Sequence, residues 1–494
     1  MRNWKKHLRK KQRGNEEKMK RRMIAAIMAA VLTGSLMACG SGAESGKTEP
    51  VAESSEEGSE GQSRQEETAE GEMTGETADA GEGADGGSSL EGVTLQVAHN
   101  LTDSNADSFE EQFRVFEEKT GCKVEVERLS SDADEMESVL LVRAATGNLP
   151  DVWVNSVGAK LEAMSPKENC YDLSGEAWVA ERINKDYLSI VTDVDNGMVY
   201  GVPSMPSNVA GVFYNKKVYE ELNLPIPATW EEFLENCQTI KDNTDKTPVM
   251  SQYSNPSGCQ ILFLSQYYYV REDEPDFAQK YTDREIELHE SDAYMRGLTK
   301  MYDIWEKGYQ NDNPLEISWE DAAQAIAEGS SVHIFCRTNI MSTVATVAPD
   351  AVEEIGFFPL PDENASAQGV GTWMPAAWCI SKNSNNTEAA VALLEFLTTN
   401  EGVDAYCAKT TPTGAFMLNG VELPDTVSSA VKEAQDWASK ASTPVMEYYC
   451  NIKGSNMATI LSMVGTGQYT PEEAIAEIEA DNAIDAQQKE IAGW

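Results

Sequence analysis

Residues able to perform acid–base or nucleophilic chemistry are sparse in this sequence. The four histidines are His7, His99, His289 and His333, and none belongs to an HExxH zinc motif. The sequence has no GxSxG nucleophile elbow and no GxxxxGK[ST] phosphate loop. The segment DVDNG at 193–197 lacks the calcium-loop spacing, because glycine stands where an oxygen ligand is needed. We therefore expect no enzyme, no cofactor and no metal site.

Paired carboxylates of the glycosidase type remain an alternative, because acidic residues occur throughout the chain. Such a site needs two acids that converge at the ends of neighbouring strands. The segments that we predict to be strands instead carry Asn, Ser and Trp at their ends. Amides, hydroxyls and aromatic rings bind ligands through hydrogen bonds and stacking, which favours a binding protein over a catalyst.

Strands and helices alternate in the segment that carries the first of these strand ends. The predicted order is a strand at 93–97, a helix containing Phe109, Phe113 and Phe116 behind Asp107 or Ser108, a strand around Val124 and Val126, a helix at 134–145 and a strand at 149–155. This order predicts right-handed crossovers and a parallel sheet. Ligands on such sheets bind beyond the carboxyl ends of the strands.

Local signals also mark turns and helix starts further along the chain. Asn196-Gly197 predicts a type I′ hairpin turn. Thr229 with Glu232 three residues later predicts a capping box. Thr470, followed by proline and then by Glu473, predicts the start of a late helix.

The N-terminal segment has the pattern of an export signal. Basic residues at 18–22 precede an apolar run at 23–32, which is too short to span a bilayer. The following Leu36-Met37-Ala38-Cys39 resembles the lipobox of bacterial lipoproteins. The resemblance implies that residues 1–38 are a signal peptide, with Met19 as an alternative start, and that Cys39 is diacylated and anchors the chain to a membrane.

A polar segment separates Cys39 from the first predicted strand. Residues 40–89 contain 14 acidic and two basic residues, with no aromatic residue. Such a composition cannot bury enough apolar surface to offset its ordering entropy. We therefore predict that residues 39–90 are the lipidated cysteine followed by a disordered acidic linker.

Charge and cysteine content restrict the partners and the covalent structure. The formal net charge of −43 predicts no nucleic-acid partner, because nucleic acid requires a positive surface. Eight cysteines follow Cys39 without a CxxC pair, at positions 122, 170, 237, 259, 336, 379, 407 and 450. We predict that most of them are reduced and pack as small apolar side chains, although export permits disulfides.

Seven segments resemble, in order, the extracellular solute-binding proteins of sugar-importing ABC transporters. They are FEEKTGCKVEVE, AATGNLPDVWV, NGMVYGVP, FYNKKVYEELNLPIPATWEEF, AIAEGSSVHIF, IGFFPLP and AAVALLEFLTTNEG. The resemblance runs from about residue 93 to the C-terminus. It implies an α/β fold of the two-lobe periplasmic-binding-protein type, in which each lobe is a sheet flanked by helices and a hinge joins the lobes.

By position, the resemblance places lobe one at 91–201 plus 354–416 and lobe two at 202–353 plus 417–494. It implies that the lobes close around a ligand. The implied function is a lipid-anchored, monomeric receptor on the extracytoplasmic face of the membrane, which captures a carbohydrate and delivers it to a permease. Two alternatives stay open, a binding protein for a non-sugar solute and a surface adhesin without a transport role.

The ligand-binding candidates come from strand ends, from hinge-side loops and from the family pattern. They are Asn100, Asn155, Ser156, Ser207, Asn208, Tyr214, Trp319, Arg337, Asn339 and Trp373. Arg337 and Asn339 stand where the family usually carries Gly and Trp. Trp373 follows Gly369 and Gly371, so we expect its indole to stack on a sugar ring. We expect Trp153 to lie in the sheet core and Asp151 to fix local structure.

Overall fold

A computed structural model describes residues 90–494, apart from residues 101, 102, 131, 132, 194 and 195. The predicted signal peptide, the predicted lipidation site Cys39 and nearly all of the predicted linker lie outside the described residues. Within the described residues, eleven strands form two sheets: β1 Thr94–His99, β2 Lys123–Arg128, β3 Val152–Asn155, β4 Val202–Pro203, β5 Asn208–Asn215, β6 Thr247–Met250, β7 Ser331–Arg337, β8 Ile355–Phe358, β9 Val370–Trp373, β10 Ala377–Ile380 and β11 Ser442–Pro444.

Helices pack on both faces of each sheet. In chain order they are α1 Asp103–Thr120, α2 Ala133–Thr146, α3 Pro166–Asn169, α4 Ala177–Arg182, α5 Lys185–Val191, α6 Lys216–Leu222, α7 Trp230–Asn243, α8 Pro256–Leu264, α9 Tyr267–Asp273, α10 Phe277–Thr282, α11 Asp292–Glu306, α12 Trp319–Glu328, α13 Ile340–Val347, α14 Thr387–Leu397, α15 Asn400–Cys407, α16 Ser429–Lys440, α17 Met457–Gly465 and α18 Pro471–Gln488. The α/β class predicted from the alternating pattern is confirmed.

The first sheet has the strand order β2-β1-β3-β10-β4. β1 runs parallel to both β2 and β3, which confirms the predicted parallel arrangement. β10 arrives from much later in the chain and runs antiparallel to β3 and β4. The carboxyl ends of β1, β3 and β4 and the amino end of β10 therefore share one edge of the sheet.

The second sheet has the order β11-β9-β5-β7-β6, with β8 also paired to β5. β5 is antiparallel to β7 and β9, whereas β6 is parallel to β7. The amino end of β5 therefore lies at the same edge as the carboxyl ends of β6, β7 and β9. One apolar cluster packs on each face of this sheet, and a third packs around the first sheet.

Two short crossings join the sheets at these edges. Residues 204–207 lead from β4 to β5, and residues 374–376 lead from β9 back to β10. The sequence analysis placed residues 354–416 in lobe one, but β8 and β9 pair within the second sheet. Sheet membership therefore indicates that the chain returns to lobe one at β10 and not at residue 354. The remaining lobe boundaries stay predictions.

Local signals were more accurate for helix caps than for the predicted hairpin. Both capping boxes are present, at Thr229 and at Thr470. The predicted type I′ turn is wrong, because the amide of Asp193 donates to the carbonyl of Met198 and four residues therefore separate the paired positions. The first helix begins at Asp103, four residues before the earlier of its two predicted caps.

The eight cysteines after Cys39 are free thiols, and all but Cys407 are buried, as predicted. No helix in the residues that the structure describes is both long and apolar enough to cross a membrane.

Candidate functional site

The first sheet presents polar side chains at the edge where its parallel strands end. Pairing of Ala98 with Trp153 sets Asn100 level with Asn155 on the neighbouring strand. Asn155 in turn pairs with Ala377 at the start of β10. Side chains alternate between the faces of a sheet, so Asn100 and Asn155 lie on the face opposite to the buried rings of His99 and Trp378. Ser156 follows directly and is half-buried.

The second sheet presents an aromatic ring, a cation and an amide at its facing edge. Asn208 at the start of β5 pairs with Trp373 at the end of β9. Arg337 at the end of β7 pairs with Ala210, so its side chain lies on the same face as Asn208. The Arg337 guanidinium carbon lies 5.5 Å from the centroid of the Trp373 ring. These three side chains therefore form one continuous wall.

Tyr448 lies between the two edges. Its hydroxyl donates to the carbonyl oxygen of Met374 in the crossing (3.0 Å). A Cβ atom at Gly158, just beyond β3, would overlap the carbonyl oxygen of Tyr448. Burial raises the pKa of the Tyr448 phenol, the Glu447 carboxylate raises it further, and Arg337 acts in the opposite direction. Tyr448 therefore contacts the first lobe, and the charge of Arg337 influences its pKa.

Two amides at this junction retain buried polar atoms without a hydrogen-bond partner in the described part of the chain. They are the Nδ2 atom of Asn155 and the Oδ1 atom of Asn339. Asn339 follows Thr338, whose hydroxyl donates to the Oδ1 atom of Asn208 (3.2 Å). One amide thus offers a donor and another an acceptor. We call Asn100, Asn155, Ser156, Asn208, Arg337, Asn339, Trp373 and Tyr448 the hinge-side cluster.

A groove of about 470 Å³ adjoins the hinge-side cluster. It begins at Gly158 and Tyr448 and continues between the end of α5 and the α9–α10 region. Arg271 on its wall stacks over the ring of Tyr449 at 5.2 Å. The groove has residues of both lobes in its walls, so a ligand that extends beyond the hinge-side cluster would contact both.

Three predicted candidates lie apart from the hinge-side cluster. Ser207 is buried in the first crossing, where its amide donates to the carbonyl of Ala415 (2.7 Å). Tyr214 lies at the opposite end of β5 from Asn208, roughly 20 Å away at the usual rise of a strand. Its ring packs on Tyr219, and burial raises its pKa to about 12.

Trp319 is also separated from Trp373, because it packs on the other face of the second sheet. Its indole Nε1 atom donates to the hydroxyl of Thr343 on α13 (2.7 Å). The expectations for two further residues are confirmed. Trp153 is fully buried, and Asp151 accepts hydrogen bonds from Gln96 and Ser384 that hold neighbouring segments together.

Sequence reasoning missed two residues at this edge. Tyr448 follows the short strand β11, whose three residues gave no clear alternation. Gln252 follows β6, and its Oε1 atom is buried without a hydrogen-bond partner among the described residues. Gln252 was missed because the sequence analysis predicted no strand over β6, so the position of Gln252 just after a strand was not recognised.

The two buried histidines do not supply a catalytic acid at neutral pH. Burial, reinforced by Arg128, lowers the pKa of His99 to about 4. Burial lowers the pKa of His333 to about 3, although its bond to the carbonyl of Pro248 acts in the opposite direction. In the described ranges, no group of three or more His, Cys, Asp or Glu side chains could hold a metal ion. The hinge-side cluster therefore offers hydrogen bonds, stacking and one positive charge.

Comparison with known protein families agrees with this geometry. Residues 102–404, more than half of the chain, match the sequence profile of bacterial extracellular solute-binding proteins. The chain belongs to this family. The edges described above are therefore those of a solute-binding protein, and the two-lobe, hinged architecture expected from the resemblance is confirmed.

Three proteins similar to this solute-binding protein are distant from it in sequence. An ABC transporter extracellular-binding protein of Pyrococcus horikoshii is 23% identical over 310 residues, which cover 63% of this chain and 69% of the relative. The multiple sugar-binding protein of Streptococcus mutans is 25% identical over 280 residues, which cover 54% of this chain and 63% of the relative. The solved structure of RafE in complex with raffinose has a TM-score of 0.62 at 22% identity, covering 80% of this chain and all of RafE, and therefore shares the fold.

Proposed function

We propose that this chain is the substrate-binding lipoprotein of an ABC importer, which captures a carbohydrate between its lobes and delivers it to a membrane permease. The observation that carries the proposal is the hinge-side cluster, which combines amides at one edge of the first sheet with an aromatic ring, an amide and a cation at the edge of the second sheet to which the two crossings lead. Membership of the solute-binding family and the sugar-binding names of two relatives support it.

The chemistry of the hinge-side cluster suits a sugar. The C–H face of a pyranose ring is apolar and packs on an aromatic face, such as that of Trp373. The hydroxyl groups of the sugar both donate and accept hydrogen bonds, and an amide side chain can accept from one hydroxyl and donate to another. The buried Nδ2 atom of Asn155 and the buried Oδ1 atom of Asn339 provide one donor and one acceptor. A ligand that satisfies both would remove two unfavourable buried groups.

Closure of the lobes would follow from contacts on both edges. A ligand shifts a hinge equilibrium only by the extra contacts that it makes in the closed form. Asn100 and Asn155 belong to one lobe, whereas Asn208 and Trp373 belong to the other, so a ligand that bridges them favours closure. Small-angle scattering at saturating ligand should give a smaller radius of gyration. An unchanged profile at proven saturation would count against the hinge mechanism.

The test of the ligand class is thermal-shift screening of the purified chain carrying Cys39→Ser. A ligand that binds only the native state raises the melting midpoint by mass action. Mono- and oligosaccharides should raise it, whereas amino acids, peptides and polyol phosphates should not. A response confined to non-sugar solutes would favour the first alternative function. No response to any solute, together with binding to a surface polymer, would favour the adhesin.

The proposed membrane anchor is tested separately from ligand binding. Because a diacylated cysteine holds a chain stably on a bilayer, Cys39→Ser should move the protein from the membrane fraction to the soluble fraction. Cys407→Ser is the matched control, since Cys407 is the partly exposed thiol among the described cysteines and its substitution should leave membrane retention unchanged. Membrane retention of the Cys39→Ser variant in the presence of salt would contradict lipid anchoring.

A further inference from the structure

We infer that the solute carries an anionic group and that Arg337 binds this group, so that the ligand class is an acidic carbohydrate with a carboxylate or an ester sulfate. The inference rests on the proposed function and narrows it. Four observations support it: the pairing state of Arg337, its support by Trp373, the composition of the hinge-side cluster and the net charge of the chain.

Arg337 differs from the other arginines of the described chain in its pairing. The other seven form an ion pair or donate a hydrogen bond to a described residue. The guanidinium of Arg337 has neither among the described residues, and its side chain is only half-buried. A guanidinium presents five N–H donors in a planar fork that fits a carboxylate or sulfate in a bidentate manner. Arg337 therefore keeps this donor set available at the ligand-facing edge.

The indole of Trp373 supports the Arg337 guanidinium from one side. Their separation of 5.5 Å is within the range of a cation–π contact. Such a contact uses the face of the guanidinium and leaves its N–H edges directed outward. A long side chain that is held in this way loses less conformational freedom when it binds an anion. Trp373 thus both offers a stacking surface and orients the cation.

The other members of the hinge-side cluster do not compete for this charge. They are amides, a serine hydroxyl, an indole and a phenol, so Arg337 is the only charged member of the cluster. Glu447, the carboxylate beside Tyr448, forms an ion pair with Lys453. Lobe closure would remove water from Arg337, and a buried charge without a partner is costly. An anionic group on the ligand would supply a partner of opposite charge, whereas a neutral sugar would supply only hydroxyl oxygens as hydrogen-bond acceptors.

Because the chain as a whole is strongly acidic, the positive charge of Arg337 at the hinge-side cluster indicates an anionic ligand. A net charge of −43 repels anionic solutes from most of the surface. A site for a neutral sugar requires no positive charge in such a chain. An acidic sugar, in contrast, requires a local cation that outweighs the surrounding field at short distance.

The experiment compares matched neutral and acidic sugars by titration calorimetry on the full chain carrying Cys39→Ser. The probes are galacto-, gluco- and manno-oligosaccharides of one to four units, their uronic-acid counterparts and their sulfated counterparts. We expect at least one acidic probe to bind tenfold or more tightly than its neutral counterpart. We also expect its affinity to fall with added salt, since the gain is electrostatic. The uronate and sulfate arms identify which anionic group is bound.

Two variants and one matched control assign the effect to Arg337. Arg337→Gln should lower affinity for the acidic probe by tenfold or more and leave affinity for its neutral counterpart within threefold. Arg337→Lys should retain part of the acid preference, because the charge remains but the bidentate fork is lost. Arg284→Gln is the control, because Arg284 also stacks on a tryptophan ring, at 5.1 Å from Trp494, but donates to Gly493 near the C-terminus. It should leave both affinities unchanged.

The outcomes separate this inference from the proposed function. Equal affinity for neutral and acidic probes, with Arg337→Gln without effect, overturns the inference and leaves the carbohydrate proposal standing. An equal loss for both probe types in Arg337→Gln also overturns it, because the residue would then bind hydroxyl groups. Failure of every sugar, acidic or neutral, overturns both. If Arg337→Gln does not fold, the Arg337→Lys variant and the salt dependence of the unsubstituted chain decide the question.

Discussion

Trp373 and Trp378 lie five residues apart but occupy different regions of the molecule. Trp373 ends β9 in the second sheet, is half-buried and has Arg337 over its ring. Trp378 lies in β10 of the first sheet, is 1% exposed and packs 4.8 Å from the ring of Phe109. The crossing at 374–376 separates the two environments. One tryptophan is thus partly exposed at a sheet edge, whereas the other is buried in the core of a lobe.

The comparison shows that residue type and local context do not distinguish a partly exposed aromatic residue at a sheet edge from a core aromatic residue. Both tryptophans occur in the single stretch GVGTWMPAAWCI. Their environments differ because the chain leaves one sheet and enters the other between them. The predictions below test this contrast, beginning with the tryptophans themselves.

Substitution of the two tryptophans should have opposite effects on stability and affinity. Trp378→Ala removes a fully buried ring, so we expect a loss of about 3–5 kcal/mol in the free energy of unfolding. Trp373→Ala should change that free energy less and lower sugar affinity by roughly tenfold or more, because about 1–3 kcal/mol of stacking contact is lost. Chemical denaturation and calorimetry on both variants measure the two quantities.

The opposite pattern would contradict the assignment of these roles. If Trp373→Ala lowered the melting midpoint as much as Trp378→Ala and left affinity intact in the folded fraction, Trp373 would be a core residue. Trp319→Ala provides an additional reference, because its indole is bonded to Thr343 on the other face of the second sheet. It should affect stability and leave affinity unchanged.

Acid should destabilise both sheets through their buried histidines. Burial lowers the pKa of His99, whose ring packs on Trp378, to about 4, and that of His333 in the second sheet to about 3. Below pH 6.5 the unfolded chain therefore binds more protons than the folded chain, so stability falls as pH falls. At pH 4.5 each histidine should cost about 2–3 kcal/mol relative to pH 7.

The histidine contributions are measured as the difference in unfolding free energy between pH 7 and pH 4.5. This difference should shrink by about 2–3 kcal/mol in His99→Gln and in His333→Gln. His289→Gln is the control, because pairing with Glu479 raises the pKa of His289 and acid favours its folded form. An unchanged difference in either buried-histidine variant would show that this histidine does not control acid sensitivity.

Gly158 tests the contact between the lobes. Its φ of 66° lies in the left-handed region, and a side chain there would overlap the carbonyl of Tyr448. Gly158→Ala should therefore cost about 1–3 kcal/mol of stability from backbone strain and displacement. Gly175→Ala is the matched control in the same lobe, because no atom lies within 4 Å of its added Cβ. Equal unfolding curves for the two variants would contradict this packing.

Tyr448→Phe should give the smallest effect of the series. It removes the hydroxyl that donates to the carbonyl of Met374 between the two tryptophans, which should cost about 1 kcal/mol of stability. Tyr302→Phe is the control, because the hydroxyl of Tyr302 forms no hydrogen bond within the described residues. If denaturation gave the same midpoint for Tyr448→Phe and Tyr302→Phe, the hydrogen bond from Tyr448 to Met374 would not contribute to stability.

Much of the local structure and part of the candidate site were predictable from the sequence. The parallel arrangement of β1, β2 and β3 followed from alternating periodicities, and the caps at Thr229 and Thr470 followed from side chains that bond backbone amides three residues away. Seven candidates lie in the hinge-side cluster because polar residues at strand ends meet at one edge of a sheet. Ser207 is buried in a crossing, Tyr214 lies at the far end of β5, and Trp319 packs on the other face of the second sheet. Local sequence patterns specify none of these placements.

The sequence by itself determined the residue types at the strand ends, the helix starts at Thr229 and Thr470 and the order of strands in the first part of the chain, because these depend on neighbours within a few residues. Only the tertiary structure decided that β10 joins the first sheet, that Tyr448 returns to contact Gly158, and that Arg337 crosses over Trp373. Such contacts join residues that are far apart in the chain. They depend on strand pairing and on which face of a sheet is buried, and short-range periodicity specifies neither of these.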